Sequence, residues 1–127
     1  MSPRKLLNRE EKIELAEELA GRLTGIDRNE WKKWVEYIAI KRSIGEGIYL
    51  AQSLSSSPML RERLQRTYST IYRVIKEKEP ELKSLAFSDQ LEILGYVGRI
   101  MVARLARPLQ GMFKKGRTKA KGDRFAR

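Results

Sequence analysis

Hydrophobic positions recur at spacings of three and four residues in four stretches of the chain, and none alternates with a strand's two-residue period over useful length. In the first stretch Ile13, Ala16, Ala20 and Leu23 share one helical face. Asn8 and Glu11 form a capping-box pattern, in which the Asn oxygen and the Glu carboxylate each satisfy a free amide. A helix is therefore predicted over 9–23, weakened at its end by Gly21 and by Thr24-Gly25. Asp27 and Glu30 repeat the capping pattern and open a second helix, predicted over 28–54. Its stripe is Trp34, Tyr37, Ile40, Ile44, Ile48, Ala51 and Leu54. Gly45 and Gly47 lie inside it. Each costs about 1 kcal/mol against Ala in a helix interior, which implies a closely approaching backbone or a bend.

Ser57 can cap a third helix, and Pro58 suits its first position because the missing N–H would be unpaired there anyway. Leu60, Leu64, Tyr68, Ile71 and Ile75 line that helix, predicted over 58–79 and stopped by Pro80. Ser88 and Asp89 start a fourth over 89–107, lined by Leu91, Leu94, Val97, Met101 and Leu105. Pro108 ends or kinks it. Short connections favour antiparallel neighbours. The expected architecture is thus an all-α, antiparallel four-helix bundle over 1–110. Residues 111–127 form a basic flexible tail, with too few large apolar groups to fold alone. No solenoid repeat is visible.

Composition narrows the function. With 127 residues, 41% apolar and 34% charged, the chain reads as one globular domain. Its apolar runs are too short to span a membrane, and the N-terminus lacks a signal-peptide core. Cys and His are both absent, so thiol chemistry, disulfides, the usual zinc ligands and the commonest general base are missing. A cytoplasmic protein without metal or cofactor is expected. An enzyme would have to rely on carboxylates, Lys, Tyr or Ser. The only carboxylate pair near the basic side, Asp89 and Glu92, better suits a helix start, where acids complement the dipole. A non-enzyme is the expectation.

Charge changes the picture most. From Arg99 to the end there are 10 Lys or Arg against one acid, Asp123, a net +9. Residues 1–98 carry 17 basic and 15 acidic side chains, a net +2. The excess is therefore local. Arg99, Arg104 and Arg107 extend it onto the fourth helix, and Lys114, Lys115, Arg117, Lys119 and Lys121 continue it into the tail. The plainer reading is a solvated terminus. A basic helical face running into a basic tail is, however, well suited to tracking phosphates, because each neutralised phosphate releases condensed counterions. Lipid headgroups fit less well, since the tail has no apolar face. Nucleic acid, with RNA favoured, is the expected partner, and no membrane is.

A second basic patch lies on the third helix, where Arg61, Arg66 and Arg73 accompany Tyr68 and Tyr72. Arg66 and Arg73 are one heptad apart and share a face. The patch is either a solvated face over core tyrosines or a stacking-and-phosphate surface of the kind single-strand binders use. Lys32, Lys33, Lys41 and Arg42 give a weaker third cluster. Trp31 and Trp34 are helical neighbours, and the expectation is one Trp in the core and one at a subunit contact. Gly95-x-x-Gly98 superficially fits the glycine loop of KH domains. Without strands it reads better as close helix packing. Gly45 and Gly98, with the Trp pair, are the candidate interface residues of a homo-oligomer or of docking to larger subunits.

The segments "EEKIELAEELAGRL", "LRERLQRTYSTIYRVI" and "LEILGYVGR", with Tyr96-x-x-Arg99 in the last, resemble the small helical subunit of CRISPR effector complexes, particularly type III. The resemblance covers about two thirds of the chain and departs over residues 25–57. It implies a basic, non-catalytic subunit repeated along a ribonucleoprotein and holding a guide–target duplex or a displaced strand. A second resemblance rests on Arg42, Ile44, Gly45, Glu46 and Ile48, and on Val97-Gly98-Arg99. It is to the accessory variability protein of diversity-generating retroelements, and it departs at Gly47 and at "VARLA". That resemblance implies a four-helix bundle assembling into a ring that binds reverse transcriptase and template RNA. A bundle whose tail docks on an acidic protein is the remaining alternative. Neighbouring genes would separate these readings.

Overall fold

The computed structural model describes the backbone of residues 7–116 and the side chains of residues 7–104. Five helices occupy the described residues: α1 (Arg9–Arg22), α2 (Arg28–Lys41), α3 (Ile44–Ser55), α4 (Glu62–Lys83) and α5 (Phe87–Gly116). No strand occurs among them. The all-α expectation holds, whereas four helices become five.

The extra helix comes from a reversal within the predicted second helix. Arg42 takes a left-handed conformation (φ 56°, ψ 38°) and its amide donates to Ile38 O at 2.7 Å, closing α2. Ser43 then caps α3, its hydroxyl accepting from the Glu46 amide at 3.2 Å. The chain turns back on itself between two consecutive residues. Packing completes the reversal. A Cβ on Gly47 would overlap the Ile38 side chain and lie 3.3 Å from Trp34 Cε2, so only glycine admits this approach of α2 to α3. Trp34 Nε1 donates to Gly47 O at 2.7 Å in the same contact. Ile40, placed on the core stripe by a continuous helical phase, is instead 79% exposed.

The helix boundaries expected at the prolines are also corrected. Ser57 and Pro58 do not open α4. The Leu60 amide donates to Ser57 O at 3.2 Å and the Met59 amide to Ser57 Oγ at 3.3 Å, making a turn around Pro58. The helix begins at Glu62, and its N-cap residue Arg61 has no side-chain cap. Pro80 does not stop α4 either. It sits within the helix on an exposed position, where water can reach the carbonyl that lacks a proline N–H. The backbone of α5 likewise continues past Pro108. The capping box at Asn8 and Glu11 forms as read, whereas at Asp27 only the carboxylate half forms: the Asp27 amide donates to Thr67 and not to Glu30.

Five alternating helices place the first and last side by side in the same direction. Lys12 of α1 meets Asp89 and Glu92 at the start of α5. At the other end Ala20 and Leu23 face the same recess as Met101 and Arg104. The antiparallel expectation therefore fails for this pair, because the additional reversal changes the parity of the chain. α3 packs chiefly on α4, α1 on α5, and α2 joins the two pairs through α3 and α5. The core draws on every helix: Leu19, Trp31, Trp34, Ile38, Ile48, Ile71, Ile75, Ile93, Leu94 and Val97 are all buried. Trp31 and Trp34 pack with ring centroids 5.1 Å apart. Both are at least 98% buried within this one chain, which corrects the expectation that one of them lies at a subunit contact.

Gly47→Ala should destabilise the fold by about 1–3 kcal/mol, the usual cost of overpacking a close core contact. Gly21→Ala, where an added Cβ meets nothing within 4 Å, should instead gain ~0.5–1 kcal/mol through backbone entropy. Urea unfolding followed by circular dichroism measures both. Equal and small effects would mean that the α2–α3 contact does not depend on glycine.

Candidate nucleic-acid interface

The described cations divide into paired and unpaired sets. Lys12 Nζ lies 3.0 Å from both Asp89 Oδ1 and Glu92 Oε1, tethering α1 to α5. Lys78 reaches Glu18 at 2.5 Å, and Arg22 contacts Glu77, so both tie α4 to α1. Glu79 sits between Lys83 (2.8 Å) and Lys76 (3.1 Å). Hydrogen bonds from Lys83 and then Lys76 hold its carboxyl below the ordinary range. The Tyr96 hydroxyl, donating at 2.7 Å, and then Lys12 do the same for Glu92. Asp89 and Glu92, the carboxylate pair weighed for catalysis, are thus engaged with a lysine.

Described cations without an ion pair include Arg9, Arg61, Arg66 and Arg73, but several gather along α2 and α5. Arg28, Lys32 and Arg99 rim a groove of about 590 Å³ between these helices, and none makes an ion pair with a described carboxylate. Asn29 and one acid, Glu36, also line it. Its floor is apolar, formed by Trp31, Val35, Leu94 and Val102 together with Gly95 and Gly98. The two helices meet where Trp31 Nε1 donates to Leu94 O at 3.2 Å. The ring lies 3.5 Å from the position a Gly98 Cβ would take. That is ordinary van der Waals contact, so Gly98 sits against α2 without the approach demanding glycine, and the close packing read for Gly95 is not found. A Cβ there meets nothing within 4 Å, so Gly95 opens the groove. On the rim the Arg99 guanidinium lies over the Tyr96 ring, 5.6 Å from its centroid.

Beyond Arg28 a second recess, about 290 Å³, is lined by residues 24–26, Met101 and Arg104. The start of α4 lies at the same end of the bundle. Arg63 is 3.3 Å from Asp27, and the Asp27 amide donates to Thr67 Oγ1 at 3.3 Å. The Tyr68 hydroxyl donates to Glu30 at 2.7 Å, and burial with that carboxylate pushes its pKa up. One end of the molecule thus holds Arg28, Arg61, Arg66 and Arg104, and from it α5 continues toward the basic C-terminal residues. Of the residues predicted to contact nucleic acid, Arg99 and Arg104 line these recesses, and Arg61 and Arg66 are exposed near the start of α4. Arg73 is exposed about two turns farther along α4. Gly45 lies at the start of α3, where a Cβ would be 3.5 Å from Lys83 Nζ. The side chains of Arg107, Lys114, Lys115, Arg117, Lys119 and Lys121 lie outside the described residues. Arg28 and Asn29 were not singled out from the sequence. Only knowledge that α2 packs on α5 puts them beside Arg99.

No protein family, curated protein or solved structure matches the chain. Among the described residues no helix is long and apolar enough to cross a membrane.

The carboxylates of Glu79 and Glu92 bind protons less readily in the fold than in the unfolded chain. Their stabilisation is present above the unfolded value, about 4.3, and is lost as pH falls through the lower folded value. The double variant Glu79→Gln, Glu92→Gln should therefore show a flatter loss of stability between about pH 4.5 and 3 than the parent. Urea midpoints measured across that range test it, and identical acid limbs would dismiss these pairs as contributors.

Proposed function

We propose that the protein is a non-catalytic helical subunit that binds nucleic-acid backbones, RNA in preference, within a ribonucleoprotein assembly. The observation that carries this reading is the convergence of Arg28, Lys32, Arg99 and Arg104 on the α2–α5 side, unpaired and leading into the basic C-terminal residues. Unpaired cations held on rigid helices present fixed positive potential, and a phosphate backbone is the polymer that gains most from it. The C-terminal residues add charge without base-edge geometry, so they contribute affinity more than sequence preference.

The resemblance to the CRISPR small subunit supplies the preferred setting. In its favour, Tyr96-x-x-Arg99 forms a stacked pair at the rim of the basic groove. The retroelement accessory protein is the second setting, and Val97-Gly98-Arg99 lies beside the same groove. Its other matching residues, Arg42 to Ile48, straddle the α2–α3 turn and do not share one helix.

Binding to a labelled RNA strand should weaken by about 0.7 log units per contacted phosphate for each tenfold rise in salt. Deleting residues 114–127 removes seven basic groups and one acid, and should lower both affinity and salt slope while far-ultraviolet circular dichroism stays helical. Replacing Arg28, Arg99 and Arg104 together by Gln should lower them further. Unchanged affinity and slope in both variants would defeat the reading and leave an acidic protein as the partner of this charge.

A further inference from the structure

We infer that the α2–α5 groove takes an unpaired nucleobase, so that the bound polymer is single-stranded where it crosses Gly95. This rests on the nucleic-acid reading above and names the part of the ligand that this groove recognises. The opening has two chemistries in register. Its rim offers Arg28, Lys32 and Arg99, whereas its floor is apolar and about 590 Å³ in volume. That volume falls within the roughly 300–1,000 Å³ of clefts that enclose small ligands. A ligand matching both must carry repeated anionic groups on one side and a flat, largely apolar body on the other. A phosphate backbone with its base turned outward has that form. A duplex does not, because its bases are stacked and paired inside the helix.

The groove depends on an absent side chain. Gly95 lies on an exposed face of α5, in a helix interior where glycine is unfavourable, and no packing demands it: an added Cβ would touch nothing within 4 Å. Packing demands glycine at position 47, against Ile38, whereas a Cβ at Gly98 would make ordinary contact with Trp31 and one at Gly21 or Gly95 would meet nothing. Of these last two, Gly95 lines the groove, where it leaves space that a side chain would take. Arg99, one turn further along α5 and already lying over Tyr96, places a planar guanidinium at the edge where a base would enter. Guanidinium planes stack on unpaired bases. Asn29, on the same wall, supplies amide donors and an acceptor within the cleft.

The test uses the full chain and two RNA strands of equal length, one ordinary and one abasic, so that both present the same phosphates. The parent should bind the ordinary strand about tenfold more tightly at matched salt, in the range that base contacts contribute. Gly95→Leu attaches at an exposed position where the added Cβ meets nothing within 4 Å, extends into the groove and favours helix, so it should fold and melt no lower than the parent. It should lose the preference for bases while keeping its affinity for the abasic strand and its salt slope. Gly21→Leu, an equivalent change on the exposed side of α1, should keep the preference. Equal binding of both strands by the parent, or a preference surviving in Gly95→Leu, overturns the inference, and salt-dependent binding in that case leaves the backbone-binding reading intact. Failure of every strand to bind removes both. If Gly95→Leu instead alters the sedimentation coefficient of the protein alone with strand discrimination unchanged, the groove holds a segment of this chain or of a second copy, and the inference is wrong.

Discussion

The approach of α2 to α3 at Gly47 is the constraint on which the arrangement of the other helices depends. Ile38 and Trp34 occupy the volume that any side chain at position 47 would need. Their burial there holds α3 antiparallel to α2 after a turn of only two residues. Without that contact, the apolar spacing from Trp34 to Leu54 is satisfied equally well by one long helix. The difference is topological as much as energetic. A single helix would leave four alternating segments, with the last antiparallel to the first. Two helices make five, and α5 runs alongside α1. Its C-terminal half therefore leaves the bundle where α2 and α4 begin, which is what unites Arg104 with Arg28 and Arg61 at one end.

Some of this was legible because it is local. The box at Asn8 and Glu11 and the cap at Asp27 involve groups within three residues, so sequence spacing specifies the geometry. The reversal at Arg42 and Ser43 was not. Ser43 and Glu46 form the same Ser-x-x-Glu pattern used at other helix starts, but it was hidden inside an apolar stripe whose phase passes from Ile40 to Ile44 without interruption. The left-handed residue is Arg42, not the Gly or Asn that would have announced a helix end. Proline misled twice for the opposite reason. Pro58 and Pro80 have clear local preferences, and both were outweighed, by the Ser57 turn in one case and by an exposed position near the end of α4 in the other.

For the candidate site the division is similar. A charge count identifies Arg99 and Arg104, because the excess is concentrated at one end of the chain. It cannot identify Arg28, nor rank Lys32 above the rest of its weak cluster, and both matter only because Trp31 bonds to Leu94 and brings α2 against α5. Nor can it separate cations with structural partners from those without. Lys12, Lys78 and Lys83 count equally with Arg28 in the sequence, yet each is held by carboxylates on facing or neighbouring turns. The two tryptophans show the same limit. Their spacing placed them on one helix face, but only the packing of α3 and α5 on either side buries both.

Several cations without an ion pair and a glycine that packing does not demand fall together in the α2–α5 groove, and both are unfavourable for the isolated fold. Like charges on adjoining helix faces repel, and glycine in the interior of α5 costs helix stability. Elsewhere most local rules are followed: α1, α2 and α3 are capped, buried indoles are bonded, and lysines between α1, α4 and α5 are neutralised, although α4 lacks a side-chain cap and holds Pro80 within it. Departures from such consistency concentrate where function is exerted. On the proposed reading, an anionic, planar-bodied ligand filling the groove would offset both costs. The same features that weaken the empty protein at Arg28, Gly95 and Arg99 are therefore those from which binding would gain.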